Sequence, residues 1–290
     1  MDTMQSKLLK KLTAAHCKRA NGRSSDFAIK GKTRIQTIAK GCAGIFAAFT
    51  LWQLAALLVD TQYFPSAWTI VKYSFGLLFE PTFIVHVYGT VQAMLAGLAL
   101  AALIAVPAGL LLGRYPLAYR LTRLLVETLR PIPAVALAPL AILMFGLSER
   151  ATISLVVWTS IWPILINSIY GMHNVDQLFC QTARTFGFGR WETLLKVELP
   201  SSAPFIATGI RIALSIALSV AIAGEMVAGS GQGLGGWILQ ESASGSLNPV
   251  YSATFISGLL GYAINMIMEY AEHRLFFWHT SFRKKKGEIH

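Results

Sequence analysis

Charge is the scarcest ingredient of this 290-residue chain. Asp, Glu, Lys and Arg together make up 13% of it, about half of the roughly 25% typical of a soluble domain. Set against 54% hydrophobic residues, that deficit excludes an ordinary soluble protein and predicts a polytopic membrane protein, most simply one membrane domain. Negative charge is scarcer still. There are 14 acidic residues against 25 Lys and Arg, a formal net charge of +11. Such an excess could serve nucleic acid, but the basic residues gather in tails and short loops. That is the distribution of the positive-inside rule, so no nucleic-acid partner is expected.

Cysteine is also rare. Cys17, Cys42 and Cys180 show neither metal-ligand spacing nor a CxxC pair, and an odd number argues against a disulfide framework. On the topology given below, Cys17 and Cys180 face the cytoplasm, where thiols stay reduced. There is no Ser-His-Asp or Cys-His set, no HExxH and no paired-carboxylate arrangement, and the six histidines do not cluster at ligand spacing. No catalytic residue, metal or bound cofactor is therefore expected on this chain, and it is read as a non-enzyme. Gly31-Lys32-Thr33 looks like the end of a phosphate loop, but Asp26 stands where the first glycine is required. Any ATP chemistry must come from another polypeptide. Gly231-Gln232-Gly233-Leu234-Gly235-Gly236 satisfies GxGxxG, yet it follows an apolar span rather than a strand. It reads as a flexible external turn that breaks the fifth helix.

What the chain has in plenty is long apolar runs. Six lie at about 39–59, 84–112, 124–147, 152–170, 205–228 and 252–277. Each is near or above the roughly 20 residues needed to cross a hydrocarbon core. The expectation is an all-α protein with six transmembrane helices. A basic N-terminal tail, 1–38, precedes a transmembrane domain, 39–280, and a short basic tail, 281–290, follows it. Lys and Arg fix the orientation. They crowd the N-terminal tail, the loop with Arg114, Arg120 and Arg123, the loop with Arg184, Arg190 and Lys196, and the run Arg283-Lys284-Lys285-Lys286. The opposite loops carry only Lys72, Arg150 and none. Both termini are therefore expected in the cytoplasm.

The stretch 176–204 is too polar for lipid but patterned enough to fold. Phe179, Ala183 and Phe186 fall on one face of a short helix. Gly187 and Gly189 interrupt it. Trp191, Leu194 and Leu195 begin a second apolar face. Pro200 is expected to stop that second helix, with Ser201 or Ser202 capping the next. The result is a helical elbow outside the bilayer, or, more blandly, a solvated connector.

Within the third run, Arg130-Pro131-Ile132-Pro133 and Pro139 place three prolines in one span, which suits a broken helix lining a cavity. Arg130 and Arg211 are charges about two turns inside the cytoplasmic surface. Glu127, three residues before Arg130, is placed to pair with it. Either arginine can instead snorkel or meet a passing anion. Glu225, beside Met226, stands near the outer end of the fifth span, where it can close an outer gate by hydrogen bonding or reach the interface. Asn265 and Glu269 are read as helix–helix hydrogen-bonding groups in the last span.

These residues also carry a family resemblance. Gln181-Thr182-Ala183, three residues, Gly187, nine residues and Val197-Glu198-Leu199-Pro200 resembles the EAA loop of the membrane subunits of ABC importers. Ala183, Gly187, Leu199 and Pro200 match that pattern and Val197 nearly does, while Gln181 and Thr182 replace its Glu and first Ala. The stretch 127–149, the Glu225-Met226 pair and the run from Thr208 to Gly235 resemble the sulfonate, taurine and nitrate branch of those permeases. The resemblance implies the type I importer fold and a homodimer. It also implies two cytoplasmic ATPase subunits holding ATP and Mg, and an extracytoplasmic substrate-binding protein. It places the chain in a bacterial inner membrane among lipid, taking up a small anion. Gln181, Thr182, Ala183, Gly187, Val197, Leu199 and Pro200 are the implied coupling residues. Arg130, Pro131, Pro133, Arg211, Glu225 and Met226 are candidates for the translocation pathway. The rival reading is an ion-gradient-driven secondary transporter, which would favour inverted repeats and midplane acidic residues.

Overall fold

The computed structural model describes residue 41 and residues 43–58, 63–228 and 233–276. No strand occurs among them. The chain divides into two compact units, Met1–Thr69 and Ile70–His290. The first contains a short apolar helix, α1 (Ala43–Leu58). Both ends of the expected first span, and both basic tails, lie outside the described residues. Helix α2 (Ala67–Leu77) crosses the junction in sequence. The second unit holds α3 (Pro81–Arg114), α4 (Pro116–Leu129), α5 (Ala138–Phe145), α6 (Glu149–His173), α7 (Gln177–Thr185), α8 (Arg190–Ala228), α9 (Leu234–Ala243) and α10 (Leu247–Leu275).

Four of these, α3, α6, α8 and α10, are long and apolar enough to cross a membrane. The pair α4 and α5, bent by 83° at its break, makes a fifth span if taken as one. The described residues thus account for four or five spans of the six expected. The helices outrun the apolar runs that predicted them: Pro81–Arg114 against 84–112, and Glu149–His173 against 152–170. Their extra turns lie in sequence too polar for the hydrocarbon. They end on His173 and on Arg114, whose charge suits the negative end of a helix dipole.

The core is the packing of α3, α6 and α8. Gly97, Ala101, Ala105, Gly109 and Gly113 recur every fourth residue or its multiple, so they line one stripe of α3. A Cβ at Gly97 would come within 2.6 Å of Val156 Cγ1, and one at Gly113 within 2.5 Å of Met172 Cβ. The backbones of α3 and α6 therefore approach as only small residues permit. On the other side of α6, a Cβ at Gly209 of α8 would fall 2.8 Å from Asn167 Cβ. Met94, Leu98, Val156, Ile164, Leu165, Leu214 and Leu218 fill the remaining space.

Two expectations about prolines are corrected. Pro200 does not stop a helix, and neither Ser201 nor Ser202 caps one, because α8 is continuous from Arg190 to Ala228. Leu194–Glu198 forms a π-helical turn, and the Leu199 N–H bonds to the Leu194 carbonyl. The wider turn shifts the hydrogen-bond register just before Pro200, which has no N–H to place. Ser202 instead bonds back to the Leu199 carbonyl, at 3.1 Å. The third span does break where its prolines lie. The turn at 130–133 is followed by a 3₁₀ turn, Ala134–Leu137, before α5 begins. Two of the three loops expected outside, 60–83 and 229–251, also contain a helix, α2 and α9.

Candidate functional site

The elbow opens with Asp176, whose side chain caps α7 by accepting a 2.8 Å hydrogen bond from the Leu178 N–H. Ala183 is buried on the inner side of α7, while Leu178, Phe179 and Phe186 are exposed. The chain then turns at Gly187, with φ +84°. Its N–H bonds to the Arg184 carbonyl, and that of Phe188 bonds to Ala183. Gly189 does not use a positive φ; at φ −68° it caps α8, and its N–H meets the Glu192 carboxylate at 3.2 Å. Thr182, Ala183, Val197 and Pro200 come together around an open cavity of about 780 Å³, with Phe179 and Phe186 on its wall. Gln181 lies on the opposite cleft with Cys180, Arg184 and Arg190. Leu199 sits half-buried at the end of the π turn. Burial pushes the Cys180 thiol above its ordinary value, towards the unreactive protonated form.

The elbow is tied to the membrane core by a contact the motifs did not announce. Arg114, at the end of α3, places Nη1 2.7 Å from Glu198 Oε2 and donates from Nη2 to the Arg190 carbonyl at 3.2 Å. One guanidinium thus holds both the start of α8 and its π turn. Arg114 had been read only as an orientation signal, and Glu198 only as part of the motif. Arg114→Ala strands a nearly buried carboxylate and is expected to cost about 1.5–3 kcal/mol, measured as a lower midpoint in thermal unfolding of the detergent-solubilised protein. Arg114→Lys keeps the charge but not the fork, and should fall between.

At the break in the third span, the expected Glu127–Arg130 pair does not form. Glu127 is taken by Arg123, one turn earlier, at 2.7 Å. Arg130 still has helical φ and ψ, with its N–H on the Val126 carbonyl, but the Glu127 carboxylate is already engaged at i,i+4 spacing by Arg123. Arg211 is paired across helices, with Nη1 3.0 Å from Glu272 Oε2 on α10. Glu272, rather than the expected hydrogen-bonding groups Asn265 and Glu269, ties the last span to α8 among the described residues.

The C-terminal end of α8 carries the third feature. Glu225 is buried and accepts from Thr90 Oγ1 and from the Gly235 N–H, each at 2.8 Å. The Leu234 N–H in turn donates to Thr90 Oγ1 at 2.7 Å, and that of Gly233 to His86 Nδ1 at 3.2 Å. The glycine-rich run therefore does not behave as a loose turn where it is described. Gly233, at φ +116°, leads straight into α9. A Cβ on Gly233 would overlap the Glu225 carboxylate, and one on Gly235 would overlap the Ile222 carbonyl. Met226 beside Glu225 is exposed and takes no part in this hydrogen-bonded latch.

A helical membrane domain with a hydrogen-bonded latch around Glu225 at one end and a helical elbow at the other has the build of a membrane permease, and comparison with known proteins narrows it. Residues 105–277 match the family described as binding-protein-dependent transport system inner membrane component. The chain belongs to that family, the permease subunits of ABC importers. It is 31% identical to a protein named as an ABC transporter permease of Methanocaldococcus jannaschii, over 80% of this chain and 88% of that one. It is 29% identical to the nitrate import permease protein NrtB of Leptolyngbya laminosa, over 86% and 91% of the two chains. The taurine transport system permease protein TauC of Escherichia coli is 25% identical over 67% and 70%. Among solved structures, the inward-facing MetNI methionine ABC transporter aligns with a TM-score of 0.57 at 19% identity, covering 67% of this chain and 94% of that one. A bacterial alginate ABC transporter aligns at 0.56 and 16% identity, over 80% and 90%. These likenesses place the fold among ABC importer membrane domains. Family membership also favours an ATP-driven reading over the ion-gradient one.

Proposed function

We propose that this chain is the membrane half of an ATP-driven importer for a small anion, and that the elbow is its link to the energy source. The observation that carries the reading is the elbow itself. It is a capped helix with exposed Leu178, Phe179 and Phe186, set between two long spans and turned by Gly187. Exposed apolar side chains on a short polar segment suit a protein groove better than water. In this reading α7 docks on a cytoplasmic ATPase subunit, with Gln181 offering an amide where the family pattern has a carboxylate. Two copies of the chain form a homodimer with both termini inside, and ATP and Mg stay on two ATPase subunits. Closure of those subunits draws the elbows together, the spans reorient, and the cavity opens to a binding protein outside. The named nitrate and taurine relatives, and a 27% identical bicarbonate permease protein, CmpB of Synechocystis, support a small anion as cargo.

The test is reconstitution with a cognate ATPase subunit and binding protein in liposomes. ATP-dependent accumulation of nitrate, taurine or bicarbonate is expected, and the chain alone should hydrolyse no ATP. Uptake driven by an ion gradient without ATP would overturn the proposal.

A further inference from the structure

The break in the third span leaves a charged group without a counterpart. Arg130 follows the last residue of α4, and neither Pro131 nor Pro133 has an N–H. Its neighbour carboxylate, Glu127, is held by Arg123. The Arg130 N–H bonds to the Val126 carbonyl at 3.1 Å, but its guanidinium makes no hydrogen bond or ion pair with any described residue. It lines a cavity of about 200 Å³ between α4 and the inner end of α6, where Tyr119 and Tyr170 add phenol groups. Tyr119 is braced edge-to-face against His173, with ring centroids 5.5 Å apart. Ile166 and Ile169 supply an apolar side.

The charge balance of the wall is simple. Arg123 and Glu127 cancel, which leaves the Arg130 guanidinium as the net charge, with phenols as further donors. A planar fork of N–H donors beside hydroxyls and an apolar wall matches a small oxyanion better than a cation or a sugar. The volume agrees, because it lies below the roughly 300–1,000 Å³ of pockets for drug-sized ligands. The location adds a function. Arg130 stands at the start of the 83° bend, so any change in that bend moves the guanidinium relative to Tyr170 on α6.

We infer that Arg130, with Tyr119 and Tyr170, forms an oxyanion site at the cytoplasmic end of the translocation pathway, the last contact of the cargo before release. This rests on the proposed function above, and it adds a site and a recognition chemistry to it. A carboxylate, sulfonate or nitrate cargo and the phosphate of a lipid headgroup share that chemistry, and the inference commits to the cargo.

The experiment uses the complete importer in proteoliposomes, with nitrate, taurine and bicarbonate as probes. Arg130→Gln should lower uptake of whichever anion the wild type moves by about tenfold or more, the loss expected of one charge-assisted contact. Arg130→Lys, which retains the charge, should lose less. ATPase stimulation by loaded binding protein should persist in both, since the elbow is untouched. Unchanged uptake in Arg130→Gln would overturn the site while leaving the importer reading intact. An equal loss of ATPase stimulation would also overturn it, making Arg130 a structural residue. Vesicles of phosphatidylcholine alone form the second arm. If the defect appears only when phosphatidylglycerol is present, a headgroup is the occupant and the inference fails. A wild-type complex that imports a neutral or cationic solute but none of the three anions would remove the anion reading and this site together.

Discussion

Gly187→Val should sharply weaken coupled transport while leaving the membrane domain in place. A Cβ at Gly187 would meet nothing within 4 Å, so space is not the obstacle. The obstacle is the backbone: φ is +84°, and an L-residue in the left-handed region costs on the order of 1–2 kcal/mol, with β-branched residues the worst placed. The cheapest relief is to rotate the turn and swing α7 away from its position. The spans are packed through α3, α6 and α8 and do not depend on that turn. Expected, therefore, are normal membrane yield and basal ATPase activity in the reconstituted complex. Uptake should fall by roughly tenfold, the equivalent of about 1.4 kcal/mol, and ATPase activity should no longer respond to loaded binding protein. Gly187→Asn tolerates the same φ and should be close to wild type. Arg190→Ala should also be mild, because Arg114 grips the carbonyl of Arg190 and not its side chain. Wild-type transport by Gly187→Val would reduce the elbow to a connector.

Gly235→Ala should be the most damaging single methyl group around the Glu225 latch. Its Cβ would overlap the Ile222 carbonyl and sit 2.8 Å from Glu225 Cβ. A backbone carbonyl inside a helix cannot step aside as a side chain can. The start of α9 must then lift, and the bond from the Gly235 N–H to Glu225 is lost with it. Overpacking and a buried carboxylate left short of a donor together should cost about 2–5 kcal/mol. The readout is a lower thermal midpoint of the solubilised protein and a lower yield in membranes. Gly258→Ala on α10, where a Cβ meets nothing within 4 Å, is the matched control and should be neutral or slightly stabilising. If the two variants melt together, the latch contributes little.

Much of the fold was legible because lipid leaves few options. Long apolar runs mark helices, and the positions of α3, α6, α8 and α10 follow from them. Their ends were less legible, because a helix that has left the hydrocarbon can continue on polar sequence. Pro200 was misread for a related reason. The rule that proline ends a helix assumes α-helical register, and the π turn at Leu194–Glu198 changes the register in advance. The Glu127–Arg130 spacing was sound for a helix, but Arg123, four residues before Glu127, takes the carboxylate. Gly187 was readable because it answers a local need for positive φ. The contacts Arg211–Glu272, Arg114–Glu198 and Thr90–Glu225 join residues 61, 84 and 135 positions apart. No local pattern encodes them. The glycine-rich run shows the same limit: its composition indicated a turn, and only packing reveals that Gly233 and Gly235 make room for a carboxylate.

Helix α8 has a further consequence. Its 39 residues run about 58 Å at 1.5 Å each, nearly twice the roughly 30 Å hydrocarbon core. One end begins in the elbow and the other carries Glu225, so the two devices are mounted on a single rod. Whatever tilts the rod from the inside is felt outside, and linkage makes the traffic two-way. Any free energy by which docking at the elbow loosens the latch must equal that by which a loosened latch alters docking. With the elbow docking as proposed, a latch substitution such as Thr90→Val is expected to change affinity at the elbow, without touching a single residue there.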